Sequence, residues 1–362
     1  MTWSHEDGVR ATAPAGGVLE VGCDESGSDG ENLTGGNTDV FAHASVRLSV
    51  ESAATAVQEI RDRIRSPAEE YKANHLLREK HRAVLEWLLA PAGPIHGQAH
   101  VHLIEKTFLV VDRAVDLLLG PGSTDAVVLF RVGPRAFGQE RWRAFLTAAN
   151  QLLRVRNDGE PEAPVEGFFR EVDALRRASP RTTVSDRTAV SDRTAVSDRA
   201  TVADVLDRLA SARPRADAYR ADVGEGPTLI PLLNPLLPAI VSTAAYWSAG
   251  GRPVRLVHDR QNMLTPERIA WIEETSRRAG VGLTGLRLVE ARRDARVQVA
   301  DFLAGIARKI ASDELNGRGD PPLTALLRPY VDRASVWGDE SSWGELVSPD
   351  EKRSDEERSP VP

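Results

Sequence analysis

At 362 residues the chain is long enough for one elaborated domain or two smaller ones, and 41% apolar with 27% charged residues excludes a disordered or fibrous protein. No apolar run reaches the ~18 residues of a membrane span. The longest candidate, 229–247, is broken by prolines, the N-terminus lacks a basic-then-apolar signal, and the lone Cys23 excludes an internal disulfide or a Cys-rich metal knuckle, so a cytoplasmic protein is expected.

The net charge of -7 opposes bulk attraction to nucleic acid, but it is unevenly spread. Residues 251–310 hold twelve Arg or Lys against seven Asp or Glu, whereas residues 338–362 hold three against eight. A basic working surface and a separate acidic tail fit this asymmetry, as does plain solvated surface.

In chain order, the first 17 residues are small, polar and aperiodic and are expected to be disordered. Val18 to Asp24 alternates as a strand, with Leu19, Val21 and Cys23 on one face and Asp24 on the other. A Gly-rich turn and a second strand from Val40 to Val50 complete an antiparallel hairpin. Helices are predicted over Glu51–Arg65, stopped by Ser66-Pro67, and from about Asn74 to Leu89. A strand follows over His100–Lys106, a helix over Phe108–Leu119, a strand over Ala126–Val132, and helices over Glu140–Arg154 and Val165–Arg177.

Three hexamers, Thr182–Arg187, Thr188–Arg193 and Thr194–Arg199, are near-copies of one another. Their period is far below the ~20 residues of solenoid repeats, so they are read as duplication tolerated in an exposed loop. The last third alternates more regularly: helix Asn234–Trp247, strand Pro253–Asp259, helix Pro266–Ala279, strand Leu283–Glu290 and helix Val297–Ser312. Strands separated by helices at this spacing are parallel neighbours. The expected fold is therefore α/β, a mixed sheet of hairpin plus parallel strands flanked by helices.

Three acidic positions stand out: Asp24 in Asp-Glu-Ser-Gly after the first strand, Asp259 after a late strand, and Asp301 closing Gln298-Val-Ala-Asp301 in the last long helix. Singly, a strand-end aspartate is a turn former and Asp301 a solvated helix residue. Gly305, one turn beyond Asp301, costs ~1 kcal/mol of helix propensity and suggests close packing.

As an ordered set, Asp24–Gly27, Glu70-Tyr71-Lys72, Asp259 and Gln298–Asp301 resemble the bacterial family called domain of unknown function 3800, similar in turn to ribonuclease H. The resemblance runs in short islands from Val18 to Ile310. It departs where Ala291–Asp294 replaces a common serine, and residues 120–229, which carry the hexamers, have no counterpart.

The resemblance implies a ribonuclease-H-like sheet split into residues 18–119 and 230–315 around a mainly helical 120–229 insertion. A helical extension (316–337) and an acidic disordered tail (338–362) would follow. It implies Asp24, Glu70, Asp259 and Asp301 as catalytic ligands of Mg²⁺ or Mn²⁺, hard cations suited to carboxylate oxygen. Lys72, Gln298, Arg292, Arg293 and Arg296 would lie near substrate.

The expected function is a metal-dependent nuclease or related phosphodiester hydrolase. The alternative is a non-catalytic module of the same fold that binds nucleic acid or, through the acidic tail, a protein; Trp337 and Trp343 could dock there. His100 and His102 share one strand face but lack a third ligand at zinc spacing, so a half-buried strand is preferred. His258, beside Asp259, is expected on the opposite sheet face. No phosphate loop or serine-hydrolase elbow is present.

Overall fold

A computed structural model describes residues 17–65, 72–155, 163–178, 192–224 and 230–347. The first strand, β1 (Leu19–Ser26), and β2 (Val40–Val46) form the expected antiparallel hairpin. Three helices follow: α1 (Val50–Ile64), the single turn α2 (Ala73–Leu76) and α3 (Arg82–Leu89). Strand β3 (Ala99–Glu105) pairs antiparallel to β2.

Six helices come next: α4 (Lys106–Leu119), α5 (Asp125–Phe137), α6 (Gln139–Leu153), α7 (Pro164–Ala178), α8 (Asp192–Ser211) and α9 (Arg213–Gly224). The chain then returns through α10 (Leu236–Trp247), β4 (Val254–Asp259), α11 (Pro266–Arg278), β5 (Leu283–Val289) and α12 (Ala295–Leu315). Two short helices, α13 (Pro321–Leu327) and α14 (Glu340–Val347), close it.

The sheet order is β3-β2-β1-β4-β5, with β4 parallel to β1 and β5 parallel to β4. This is a ribonuclease-H-like topology carrying a helical insertion. A parallel partner cannot be reached by a tight turn, so β1 meets β4 only after a long excursion. Strand alternation splits the core in two. Val21, Cys23 and Phe41 face the insertion and α10; Ala42, Ala44 and Val101 face α12, α1 and α3.

Local chemistry sets the helix ends. Ser49 Oγ accepts the Ser52 N–H at the start of α1, and Thr265 caps α11 ahead of Pro266 at the first helical position. Asp294 caps α12 by accepting the Arg296 N–H. Helix α12 is apolar almost all round and packs across β1 and β2. Gly305 lets α2 close on α12 as well: a β-carbon there would lie 2.2 Å from Ala73 Cβ.

Several expectations are corrected. Ala126–Val132 lies inside helix α5, whose buried Ala126, Leu129, Gly133 and Phe137 recur at helical spacing. The helix expected over Asn74–Leu89 is broken into α2, a 3₁₀ turn at Glu79–His81 and α3. The third hexamer belongs to α8 rather than to a loop, while the first, and most of the second, lie outside the described residues.

Residues 340–347 form α14, and Trp337 is buried and stacked on Trp343, so neither ring belongs to a loose tail. The remaining acidic residues from 348, like the N-terminal segment 1–16, lie outside the described residues. No helix among the described residues is long and apolar enough to cross a membrane.

Val331 and Val336 add isolated parallel bridges to β3, opposite Val101 and Ile104. Glu105 fastens the same segment by accepting the Gly338 and Asp339 N–H groups at 2.8 and 3.0 Å. Asp332 accepts from His102 at 2.9 Å and lies 3.3 Å from His100. Those histidines are thus occupied in holding the C-terminal segment to the sheet.

Candidate active site

Parallel pairing aligns Cys23 with His258, so the next residue on each strand, Asp24 and Asp259, comes to the carboxyl ends of adjacent strands. Such ends are where open α/β sheets present ligand sites. Asp24 is 5% exposed, and its Oδ1 accepts the Glu25 N–H at 2.8 Å. Asp259 Oδ1 accepts the Ala291 N–H at 2.8 Å, which ties the end of β4 to the approach of α12.

Asp301 sits on the α12 surface that packs toward β1, its side chain 19% exposed, with Lys72 Nζ 3.6 Å from Oδ2. The expected solvated face is therefore the packed one. Burial pushes the Asp24 carboxyl well above the usual carboxylate range, and the charges of Glu25, Asp301 and Asp259 push it further. These four acids are close enough to act on one another. Glu70, the fourth expected ligand, lies outside the described residues.

Among the described residues, no three His, Cys, Asp or Glu side chains are posed to hold a metal ion. The donor chemistry nonetheless suits Mg²⁺ or Mn²⁺: carboxylates only, one of them buried and disfavoured as an anion without a cation beside it.

The arginines divide. Arg292 and Arg293 are exposed, each paired with Glu290. Arg296 is buried instead: its guanidinium binds Asp294 at 2.8 Å and Glu20 at 3.2 Å, and Gly22 leaves room for its stem. It clamps α12 to β1, which corrects its expected place near substrate. Gln298 is half-buried on the first turns of α12.

Two groups were missed by sequence reasoning. Arg308, two turns beyond Asp301, donates from Nε to Ser26 Oγ at 3.0 Å; its heptad spacing from Asp301 was the available signal. On the opposite sheet face, His258 is fully buried, as its alternation predicted, and stacks on His43. Glu25 Oε2 lies 3.6 Å from His258 Nε2. His43 Nδ1 bonds Thr243 Oγ1, and His258 Nδ1 bonds the Asp259 carbonyl. This buried polar row lies behind the aspartates.

No family model, curated protein or solved structure matches the chain.

Proposed function

We propose that the protein is a metal-dependent nuclease or related phosphodiester hydrolase of the family called domain of unknown function 3800. The observation carrying this is the convergence of Asp24 and Asp259 at the carboxyl ends of adjacent parallel strands with Asp301 of α12, close enough that burial first, then the charges of Glu25, Asp301 and Asp259, raise the Asp24 carboxyl. Residues that repel one another in a partly buried site are stabilised by a shared counter-charge, which suits the acids to cradle a cation.

Asp24, Asp259 and Asp301, with Glu70, would hold Mg²⁺ or Mn²⁺. When bound, such ions supply charge neutralisation and a more acidic water for phosphodiester attack. Lys72 would set the position of the Asp301 carboxylate through their ion pair. The Asp259–Ala291 bond would keep one oxygen fixed and leave the other for a ligand.

The test is calorimetric titration of Mn²⁺ into wild type, Asp24→Asn and Asp301→Asn, followed by incubation with RNA, DNA and hybrid strands. Binding and cleavage lost in both variants support the proposal. Equal binding in all three proteins removes these aspartates from any metal site.

A second reading is a non-catalytic nucleic-acid or protein-binding module. It is favoured by the absence, among the described residues, of three side chains posed around a metal. Nucleic-acid binding with no cleavage in Mn²⁺ or Mg²⁺ would select it.

A further inference from the structure

Beside the acidic site lies a polar cleft of about 350 Å³ between the β1–β2 loop and the second half of α12, lined by Thr38, Asp39, Thr107, Arg308, Ser312 and Arg318 among others. Arg308 is the residue that joins it to the acids. Asp301, Gly305 and Arg308 recur on one helix face, so Arg308 lies ~10 Å along α12 from Asp301. On β1, Ser26 shares the face of Asp24 and lies ~7 Å beyond it.

The loop wall is fixed before any ligand arrives. Asn150 of α6 accepts the Leu33 and Thr34 N–H groups at 2.8 and 3.1 Å and donates to the Glu31 carbonyl at 2.8 Å. Lys106 Nζ, wholly buried, binds Asp29 and Thr38 Oγ1. Gly27, at φ +92°, closes the turn against Arg308; a β-carbon there would come within 2.8 Å of Arg308 Cδ.

The charge balance favours an anion. Asp29 is neutralised by Lys106; Asp39 keeps its charge while accepting from the neutral Asn316 amide, and Arg308 and Arg318 outnumber it in the lining. Arg318 stands 3.7 Å from Asp313. Among the described residues Arg308 donates through Nε to the neutral Ser26 hydroxyl and pairs with no carboxylate. Guanidinium with surrounding hydroxyls suits phosphate oxygens.

We infer that this cleft is a phosphate subsite: Arg308 takes a backbone phosphate of the nucleic-acid strand whose scissile bond lies over Asp24, Asp259 and Asp301. The inference rests on the nucleic-acid reading above. A separation of ~7–10 Å falls within a few nucleotides of one strand, whose axial rise is about 3.4 Å per nucleotide, so one strand reaches both places.

The experiment measures anisotropy of labelled single-stranded RNA, single-stranded DNA and hybrid duplex with the full chain in EDTA, over a range of salt. Wild type, Arg308→Ala, Arg308→Lys and Asp24→Asn are compared, with melting curves alongside. On the strand that wild type binds best, Arg308→Ala should bind about tenfold or more weakly. Its salt slope should fall by about 0.7–0.9, the loss of one phosphate contact. Arg308→Lys should fall between wild type and Arg308→Ala and keep the wild-type salt slope, since lysine keeps the charge but loses the fork.

If Arg308→Ala melts early, Arg308→Gln, which keeps the stem over Gly27, takes its place. An unchanged affinity and salt slope overturn the subsite even where Mn²⁺-dependent cleavage is found. Weakened binding without cleavage by wild type keeps the subsite and overturns the nuclease. Failure of wild type to bind any strand overturns both.

Discussion

Gly305 of α12 rests directly on Ala73 of α2, with room for a hydrogen and not for a methyl group: an added β-carbon would meet Ala73 Cβ at 2.2 Å. Lys72, immediately before Ala73, is the residue that reaches Asp301, one helical turn before Gly305. The contact therefore sets both the packing and the position of an acid. Gly305→Ala gains ~1 kcal/mol in helix propensity but must displace α2, at ~1–3 kcal/mol. A net loss is expected in urea unfolding. A Gly305→Ala protein as stable as wild type would show that α2 moves freely.

Asp24 destabilises the fold whenever it is charged. Its carboxyl is raised, so the folded state holds the proton more tightly than the unfolded chain. Stability from this group is full below the unfolded carboxylate range and is lost as pH rises through the folded value. Asp24→Asn should therefore melt higher than wild type near pH 7.5, each ~1 kcal/mol gained raising the midpoint by about 1–2 °C in a chain of this size. The advantage should vanish at pH 3–4. Scanning calorimetry at the two pH values decides it; a lower melting point at pH 7.5 contradicts the electrostatic account.

Glu105 supplies a second pH dependence, on the edge strand β3. Burial raises its carboxyl from 4.5 to about 7, against the pull of the Gly338 and Asp339 N–H groups. Stability from this group is present below pH ~4.5 and declines as pH approaches 7, by at most ~3 kcal/mol. Glu105→Gln keeps an oxygen for the two N–H groups and cannot ionise. Relative to wild type it should gain stability steadily from pH 4.5 to 7. Parallel stability–pH curves for the two proteins would refute this.

Arg296 separates packing from recognition. Its guanidinium is 6% exposed and holds Asp294 and Glu20. Arg296→Ala should cost about 3–5 kcal/mol by leaving Asp294 partly buried without its partner. At a temperature where the variant stays folded, its affinity for oligonucleotide should match wild type. A selective loss of binding with intact stability would instead place Arg296 at the substrate.

Much of the fold was legible in the sequence because alternation and turn chemistry agree there. Val18–Asp24 and Pro253–Asp259 read as strands, and Gly305 announced a close contact. Ala126–Val132 misled because a short β-branched run has no period of its own, and only the flanking residues reveal the helix. Taken singly Asp301 read as a solvated helix residue, because α12 is buried on most sides and its apolar residues do not mark one face; only the ordered set with Asp24 and Asp259 pointed to a ligand. Arg308 looked like any helical surface arginine; only the loop from the first hairpin makes a cleft beside it. Glu25 and His43 were overlooked because a polar row inside a sheet needs the pairing register before it can be seen.

The pairing of Leu19 with Val254, and of Val101 with Val331, has a consequence for biosynthesis. The first strand leaves the ribosome with only its hairpin neighbour available, and its parallel partner follows after the whole insertion has been made. The outer edge of β3 stays uncovered until the chain beyond Val331 emerges. Until β4 is made the nascent protein exposes both of these strand edges unpaired, the feature that invites association between chains. Translation that stalls or ends before Val331 would yield a product prone to aggregate, whatever the state of its acidic site.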